Sequence, residues 1–324
     1  MPSSPGNAAV AVEPAGAPAR QRPRLSRQRL AHSAAPYALI APAAIVVGAV
    51  LAYPIYFLVR LSLEKYGLAE LIAHEGRWIG VDNYTKIVHD SEFWRVLLRT
   101  VAFTAVNVGL TMALGTLIAL LLARLGSLMR LLVATALVLA WAMPVVVAAQ
   151  VWSWMVDFEF GVLNWTLTEL HFGDFRHHDW FANPFEGFAV ITALIVWGAI
   201  PFVAITLYAG LSQLPQELLE AASIDGASAW RVFRDITLPL LKPIFLILTS
   251  LSIIWDFQVF NQVWLMLSLH PTTDYFLMSI YAYAQAFGVS EYGLGAAIAL
   301  VMVAVLLCIT FVYVRQMVRL GEIR

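Results

Sequence analysis

The chain has 324 residues, 60% of them hydrophobic and only 13% charged, with a mean hydropathy of +0.76. A soluble globular protein is about 45–50% apolar and about 25% charged. A soluble enzyme is therefore excluded, and the wealth of apolar and aromatic residues excludes disorder over most of the length. The net charge of −1 leaves no basic field for nucleic acid, and the single cysteine, Cys308, allows neither an intramolecular disulfide nor a cysteine metal cage. What remains is an all-α integral membrane protein with membrane lipid as its solvent.

Residues 1–35 differ from the rest. They are rich in Ala, Pro and Ser and carry Arg20, Arg22, Arg24, Arg27 and Arg29, which predicts a disordered basic cytoplasmic tail ahead of a membrane domain at 36–324. The first apolar run is too long for a signal-peptide core and lacks a convincing cleavage site, so it reads as a retained helix. A spanning helix needs about 20 mostly apolar residues. Six segments qualify: Tyr37–Leu61, Leu97–Leu122, Leu131–Trp154, Gly187–Gly210, Pro243–Leu267 and Tyr292–Tyr313. With both termini inside, the inner segments hold 13 Lys and Arg and the outer ones 7, the bias expected of an N-in, C-in topology. The first outer loop, with Lys65, Arg77, Lys86 and Arg95, runs against that bias. The outer segments are acidic, aromatic and too short for a catalytic domain. Gly80-Val81-Asp82-Asn83-Tyr84 is followed there by an amphipathic run ending in Phe93-Trp94, which suits an interfacial belt.

The inner loop at 211–243 is the long one. Pro215, Gln216 and Glu217 open a helix, with acid in its first turn where the helix dipole favours it. Leu218, Leu219, Ala222 and Ile224 give that helix an apolar side, and Asp225-Gly226 is a turn dipeptide that stops it. A second helix carries Trp230, Phe233 and Ile236 and is expected to end at Leu238-Pro239, with Pro243 opening the fifth span. The product is a helix–turn–helix elbow with exposed apolar side chains, and Gly226 permits its sharp turn.

Glu220-Ala221-Ala222, Asp225-Gly226-Ala227, Phe233, Ile236, Leu238-Pro239 and Pro243 resemble the EAA loop of bacterial ABC importer permeases. More narrowly, they resemble the carbohydrate-importing type related to the maltose and glycerol-phosphate permeases. Gly80–Tyr84 with Phe93-Trp94, Phe158–Asn164 and Tyr281–Phe287 extend the likeness over roughly 36–324. The resemblance implies a six-helix type I importer permease fold in a bacterial plasma membrane, forming half of a heterodimeric pore. It implies a second permease subunit, two copies of a cytoplasmic ABC ATPase gripping the elbow, and an extracytoplasmic sugar-binding lipoprotein. Glu220, Ala221, Ala222, Asp225, Gly226, Ala227, Phe233, Leu238 and Pro239 would form the ATPase contact. Glu220 would meet a basic group on that partner or cap its own elbow. The competing structural role for the loop is an amphipathic helix resting on lipid. The chain contains no GxxxxGK[ST] phosphate loop. No cofactor of its own is therefore expected, with ATP and magnesium held by the partner ATPase.

Polar groups inside a bilayer are costly and point to function. The fifth span carries Ser252, Asp256, Gln258, Asn261 and Gln262 among Trp255, Phe257, Phe260 and Trp264. Ser252 and Asp256 are four apart and share a helix face. By their offset from the loop they resemble family positions that contact sugar, whose hydroxyls need carboxylates or amides and whose ring faces need flat aromatics. Structural roles are the alternative: Asp256 bonding a neighbouring span, Ser252 admitting close helix approach. Asn261 and Gln262 fall near the outer surface. Gln150 with Trp152 and Trp154 in the third span is a second candidate wall of the pathway, Trp197 reads as packing, and Asn107 as an interhelical bond. Pro144 and Pro201 can kink their helices, and Gly293, Gly295, Ala296 and Ala297 suit close packing at the start of the sixth span.

Other chemistry fits less well. His177-His178-Asp179, with His171 and Asp174 nearby, does not have the spacing of a helical two-histidine metal motif and reads as a solvated loop. An intramembrane serine hydrolase has no histidine base in the spans. A proton-coupled secondary transporter with Asp256 as its relay is compatible with one central carboxylate, but gives the elbow no role.

Overall fold

The structure, a computed structural model, describes residues 27–322, and the side chains of 39–319. Most of the expected basic tail lies outside the described residues. Its last part, 27–35, is helical rather than disordered. The described residues divide into two units, on either side of the Ile55–Tyr56 bond.

Helix α1 (Arg27–Ser62) presents apolar side chains such as Leu39, Ile45, Val50 and Leu51 at its surface, as a lipid-facing helix does. Beyond it, β1 (Glu64–Lys65) and β2 (Arg77–Trp78) form a minimal antiparallel ladder that brackets α2 (Leu68–Ala73). The Gly67 N–H donates to the Glu70 carboxylate at 3.0 Å, closing the first turn of α2. Helix α3 (Asp82–His89) carries buried Asn83, whose amide donates to the carbonyls of Ser62 at 2.9 Å and Glu64 at 3.0 Å. The Gly80–Tyr84 motif thus pins the outer loop to the top of the membrane domain, where Tyr84 and Ser62 share a hydroxyl hydrogen bond of 2.8 Å.

Asp90 caps the long helix α4 (Ser91–Arg124) by accepting from the Glu92 N–H at 2.8 Å. The third span departs from expectation. It consists of α5 (Ser127–Trp141) and α6 (Val145–Met155), bent by 96° at Ala142–Pro144 rather than running straight through. Pro144 has no N–H to continue α5 and disfavours helical geometry at Met143. Its carbonyl instead accepts from Ala148 at 3.0 Å and starts α6. Helix α7 (Val162–Glu169) lies in the outer loop. Asn183 caps α8 (Pro184–Leu211), accepting from the Phe185 N–H at 3.0 Å, with Pro184 in the first turn where a missing N–H costs nothing. Pro201 is accommodated inside α8 without a break.

Helices α4 and α8 pack along each other and form the spine of the domain. Their approach depends on Gly115: a Cβ there would stand 2.6 Å from Val203 Cγ1. Asn107 is wholly buried on α4, but its amide donates to the Phe103 carbonyl of its own helix at 2.8 Å, not to a neighbouring span.

The inner elbow consists of α9 (Gln216–Ile224) and α10 (Ala229–Val232). The second arm does not stop at Leu238-Pro239. A π-turn at Phe233–Thr237 carries it directly into α11 (Leu238–Phe257), giving one apolar helical stretch from Ala229 to Phe257. A proline inside a helix removes one hydrogen bond and crowds the preceding turn. The wider π-turn, closed by the Leu238 N–H on the Phe233 carbonyl, absorbs Pro239 without ending the rod. The fifth span accordingly runs from the elbow and ends at Phe257, ten residues short of its expected limit at Leu267. The polar outer portion instead forms the short helix α12 (Asn261–Met266), packed on α6.

Thr273–Tyr275 is a single 3-10 turn leading to α13 (Met278–Tyr283), which packs against α14 (Tyr292–Glu322). The buried side chains of Ile87, Phe93, Tyr281 and Ile298 cluster there, so two outer segments distant in sequence meet on the start of α14. The Tyr281 hydroxyl donates to Asp90. Burial first, and then this carboxylate, push the phenol well above its ordinary range and keep it a donor. Ala296 and Ala297 are buried at the start of α14, as expected of close packing. Among the described residues five helices are long and apolar enough to span a bilayer; counting the bent pair as one makes six, an even number that returns the chain to its starting side.

Candidate translocation site and coupling elbow

Helix α11 places Ser252 and Asp256 one turn apart, both only 5% exposed. Asp256 borders a cavity of about 270 Å³ whose wall includes Trp141, Trp197, Phe202, Trp255 and Gln262. Among the described residues Asp256 Oδ2 is buried without a hydrogen-bond partner. A stranded carboxylate oxygen costs on the order of 1–3 kcal/mol or more, so the site asks for a donor.

The aromatics frame the cavity in two groups. Trp141 stacks on Phe202 with ring centroids 6.3 Å apart, and Phe202 meets Trp255 edge-on at 5.4 Å. Trp197 lies against Trp152 at 6.2 Å. The 96° break after α5 positions this frame: Trp141 is the last residue of α5 and Met143 and Val145 line the same cavity. Flat apolar faces beside one unsatisfied carboxylate suit a ligand with hydroxyl donors and a weakly polar ring face.

Not every residue expected from sequence gathers here. Asp256 and Trp255 line the cavity, while Ser252 is buried one turn below the lining. Trp152 reaches it only through Trp197, and Gln150 is exposed on α6 and lies outside the lining. Trp197, read from sequence as packing, does both: it packs on Trp152 and lines the cavity. Trp141 and Phe202 carry no local sequence signal for a site, since their neighbourhood depends on the break at Pro144. Gln262 comes to the cavity because α11 stops at Phe257 and the chain folds back.

The elbow is open. Ile224 is 86% and Trp230 67% exposed, and Glu220, Ala221, Asp225 and Gly226 are exposed with them, while Ala222, Ala227 and Phe233 are half-buried. Leu238 and Pro239 are exposed on the following turn. Gly226 has φ +75°, the left-handed conformation that glycine adopts without strain. Ser228 caps α10 through the Arg231 N–H at 3.4 Å, and Trp230 packs on Phe233 at 5.8 Å. On the other side of the molecule, His178 pairs with Glu186 at 2.8 Å and His177 faces Glu159 at 3.4 Å, so these two outer histidines have carboxylate partners.

Residues 114–320 match the family described as binding-protein-dependent transport system inner membrane component. The diacetylchitobiose uptake system permease protein DasB of Streptomyces coelicolor is 44% identical over 89% of this chain and 88% of its own length. The trehalose/maltose transport system permease protein MalF of Thermococcus litoralis is 31% identical over 86% of this chain and 92% of its own. The fold matches a chain of a bacterial alginate ABC transporter, solved with an alginate pentasaccharide-bound periplasmic protein, with a TM-score of 0.72 over 89% of this chain and 95% of that one, at 20% identity. This multi-pass membrane protein belongs to the family of inner-membrane components of binding-protein-dependent transport systems.

Proposed function

We propose that the chain is one permease half of an ATP-driven importer of a di- or oligosaccharide, gripped at its elbow by a separate ATPase. What supports this most is the uninterrupted helical stretch from Ala229 to Phe257. At about 1.5 Å per residue it spans roughly 44 Å. It carries the elbow's second arm at one end and Asp256 at the other. A partner that moves the elbow's second arm, from Ala229 onward, displaces the carboxylate with no break in the helix between them. Glu220, Ala221, Ala222, Asp225, Gly226 and Ala227 supply the docking surface, with Phe233, Leu238 and Pro239 at the root of the lever.

In this account Asp256 accepts a sugar hydroxyl, Gln262 offers an amide, and Trp255 and Trp197 present ring faces. Ser252 supports Asp256 from the turn below, and Trp152 buttresses Trp197. The sugars named for the relatives at 44% and 31% identity favour a short neutral or N-acetylated saccharide. The remaining partners are a second permease subunit, two ATPase copies that bind the ATP and magnesium, and an extracytoplasmic sugar-binding lipoprotein. Proton-driven transport through Asp256 gains nothing from the family match, whereas ATP-driven import does.

The test is uptake of labelled disaccharide into proteoliposomes holding the full complex and its binding protein. Uptake is expected to require ATP inside and to survive collapse of the proton gradient. Uptake driven by a proton gradient without the ATPase would overturn the proposal.

A further inference from the structure

A second and larger cavity, about 700 Å³, lies on the other side of Trp197 between α4 and α8. Its wall is almost wholly apolar, with Val106, Leu110 and Leu114 on α4 and Phe188, Ala193 and Ile200 on α8. The exceptions are the Thr192 hydroxyl and, at its end, the charged Arg99. Arg99 donates to the carbonyls of Thr273 at 2.8 Å and Phe276 at 3.0 Å. Those acceptors are neutral and leave the charge uncompensated. Among the described residues Arg99 forms no ion pair, and Asp274, next to one acceptor, is exposed and not paired with it.

We propose that this groove binds one acyl chain of an anionic phospholipid, with the lipid phosphate on Arg99. Three observations place that ligand. Arg99 stands at the start of the apolar run of α4, the level at which headgroups meet a spanning helix, and exposed Trp94 and Phe185 mark the same level. From Arg99 to Leu114 the groove runs 15 residues along α4, about 22 Å. That exceeds the ~15 Å of one hydrocarbon leaflet, so a full chain fits below the headgroup. A guanidinium, always charged, matches phosphate oxygens in two-pronged geometry, and its two carbonyl bonds fix it there. Ala102, Ala189 and Ala193 keep the floor low where bulkier residues would fill it. The proposal concerns the membrane-side face and does not depend on the sugar assignment.

The probe is phosphatidylglycerol carrying a diazirine on one acyl chain, incorporated with the intact complex into vesicles and mapped by peptide mass spectrometry after irradiation. Adducts are expected at 106–114 and 193–200, at least fivefold above those on the exposed Leu117–Leu121 face of α4. Arg99→Gln is expected to cut the groove adducts about fivefold and Arg99→Lys to restore most of them. Because Arg99 also holds two carbonyls, Leu110→Trp serves as an independent variant: it leaves those bonds intact, fills the groove and is expected to remove the adducts. The same diazirine on phosphatidylcholine is expected to label less. Labelling no higher than on the control face, labelling unchanged in both Arg99→Gln and Leu110→Trp, or adducts replaced by cross-links to the second permease subunit would each overturn the assignment.

Discussion

Gly226 tests the elbow most sharply, because its demand is purely one of backbone. Its φ of +75° is left-handed, and a Cβ built there meets nothing within 4 Å. A substitution therefore causes no clash, and its whole effect is the conformational cost of the left-handed region, about 1–2 kcal/mol for an ordinary L-residue. That amount lowers the ratio of formed to unformed elbow roughly five- to thirtyfold. Asn tolerates this region and is expected to stay within about threefold of wild type, Ala to fall in the middle, and β-branched Val to be worst. The assay is substrate-stimulated ATPase activity of the reconstituted complex, with membrane content and thermal stability measured alongside. The melting midpoint of the membrane spans should barely change across the series, since nothing packs on the site and the cost falls on the elbow alone. Equal coupling in Gly226→Ala and wild type, or Asn no better than Val, would refute the reasoning.

Three further substitutions probe other parts of the account. Asp256→Ala removes the one carboxylate that lines the cavity among the described residues; at about 1.5–3 kcal/mol for a hydrogen bond to a charged group, uptake should fall about ten- to hundredfold while assembly, followed by co-purification of the complex, survives. Asn83→Leu strands the Ser62 and Glu64 carbonyls it now satisfies and should destabilise the outer loop by about 1–3 kcal/mol, read as a lower midpoint in a detergent thermal melt. Gly115→Val forces α4 and α8 apart, because a Cβ at 2.6 Å from Val203 Cγ1 has no room; the overpacking cost of about 1–3 kcal/mol should appear in the same melt, and Gly115→Ala should cost less than Val but more than nothing.

The spans and the elbow were legible because their signals are local. A run of apolar residues gives the bilayer crossing, and Pro215 and Asp225-Gly226 bracket α9 where the structure has it. Prolines were the limit. Pro144 breaks the third span by 96°, Pro201 sits inside α8 without breaking it, and Pro239 is absorbed by a π-turn. The three residues look alike in sequence. Their outcomes differ because neighbouring helices decide whether the freed carbonyls find other partners. The site was half legible for the same reason. Asp256 and Trp255 belong to one helix and were visible by spacing. Trp141, Phe202 and Gln262 reach the cavity only through the break at Pro144 and the early end of α11, and no short-range pattern encodes that meeting.

Coupling by a rigid lever requires the elbow's second arm and Asp256 to move as one body. The direct measurement is the distance between spin labels at Arg231→Cys and Gln258→Cys, in a Cys308→Ala background that removes the chain's single native thiol, by pulsed electron resonance on the assembled complex. At about 1.5 Å per residue the two sites should lie roughly 40 Å apart. The account predicts one narrow distribution that keeps its centre, within about 2 Å, between nucleotide-free and ATP-trapped states, while labels between Arg231 and the outer end of α4 shift. A distribution that splits or moves by more than one helical turn, about 5 Å, would place a hinge at Pro239 and contradict it.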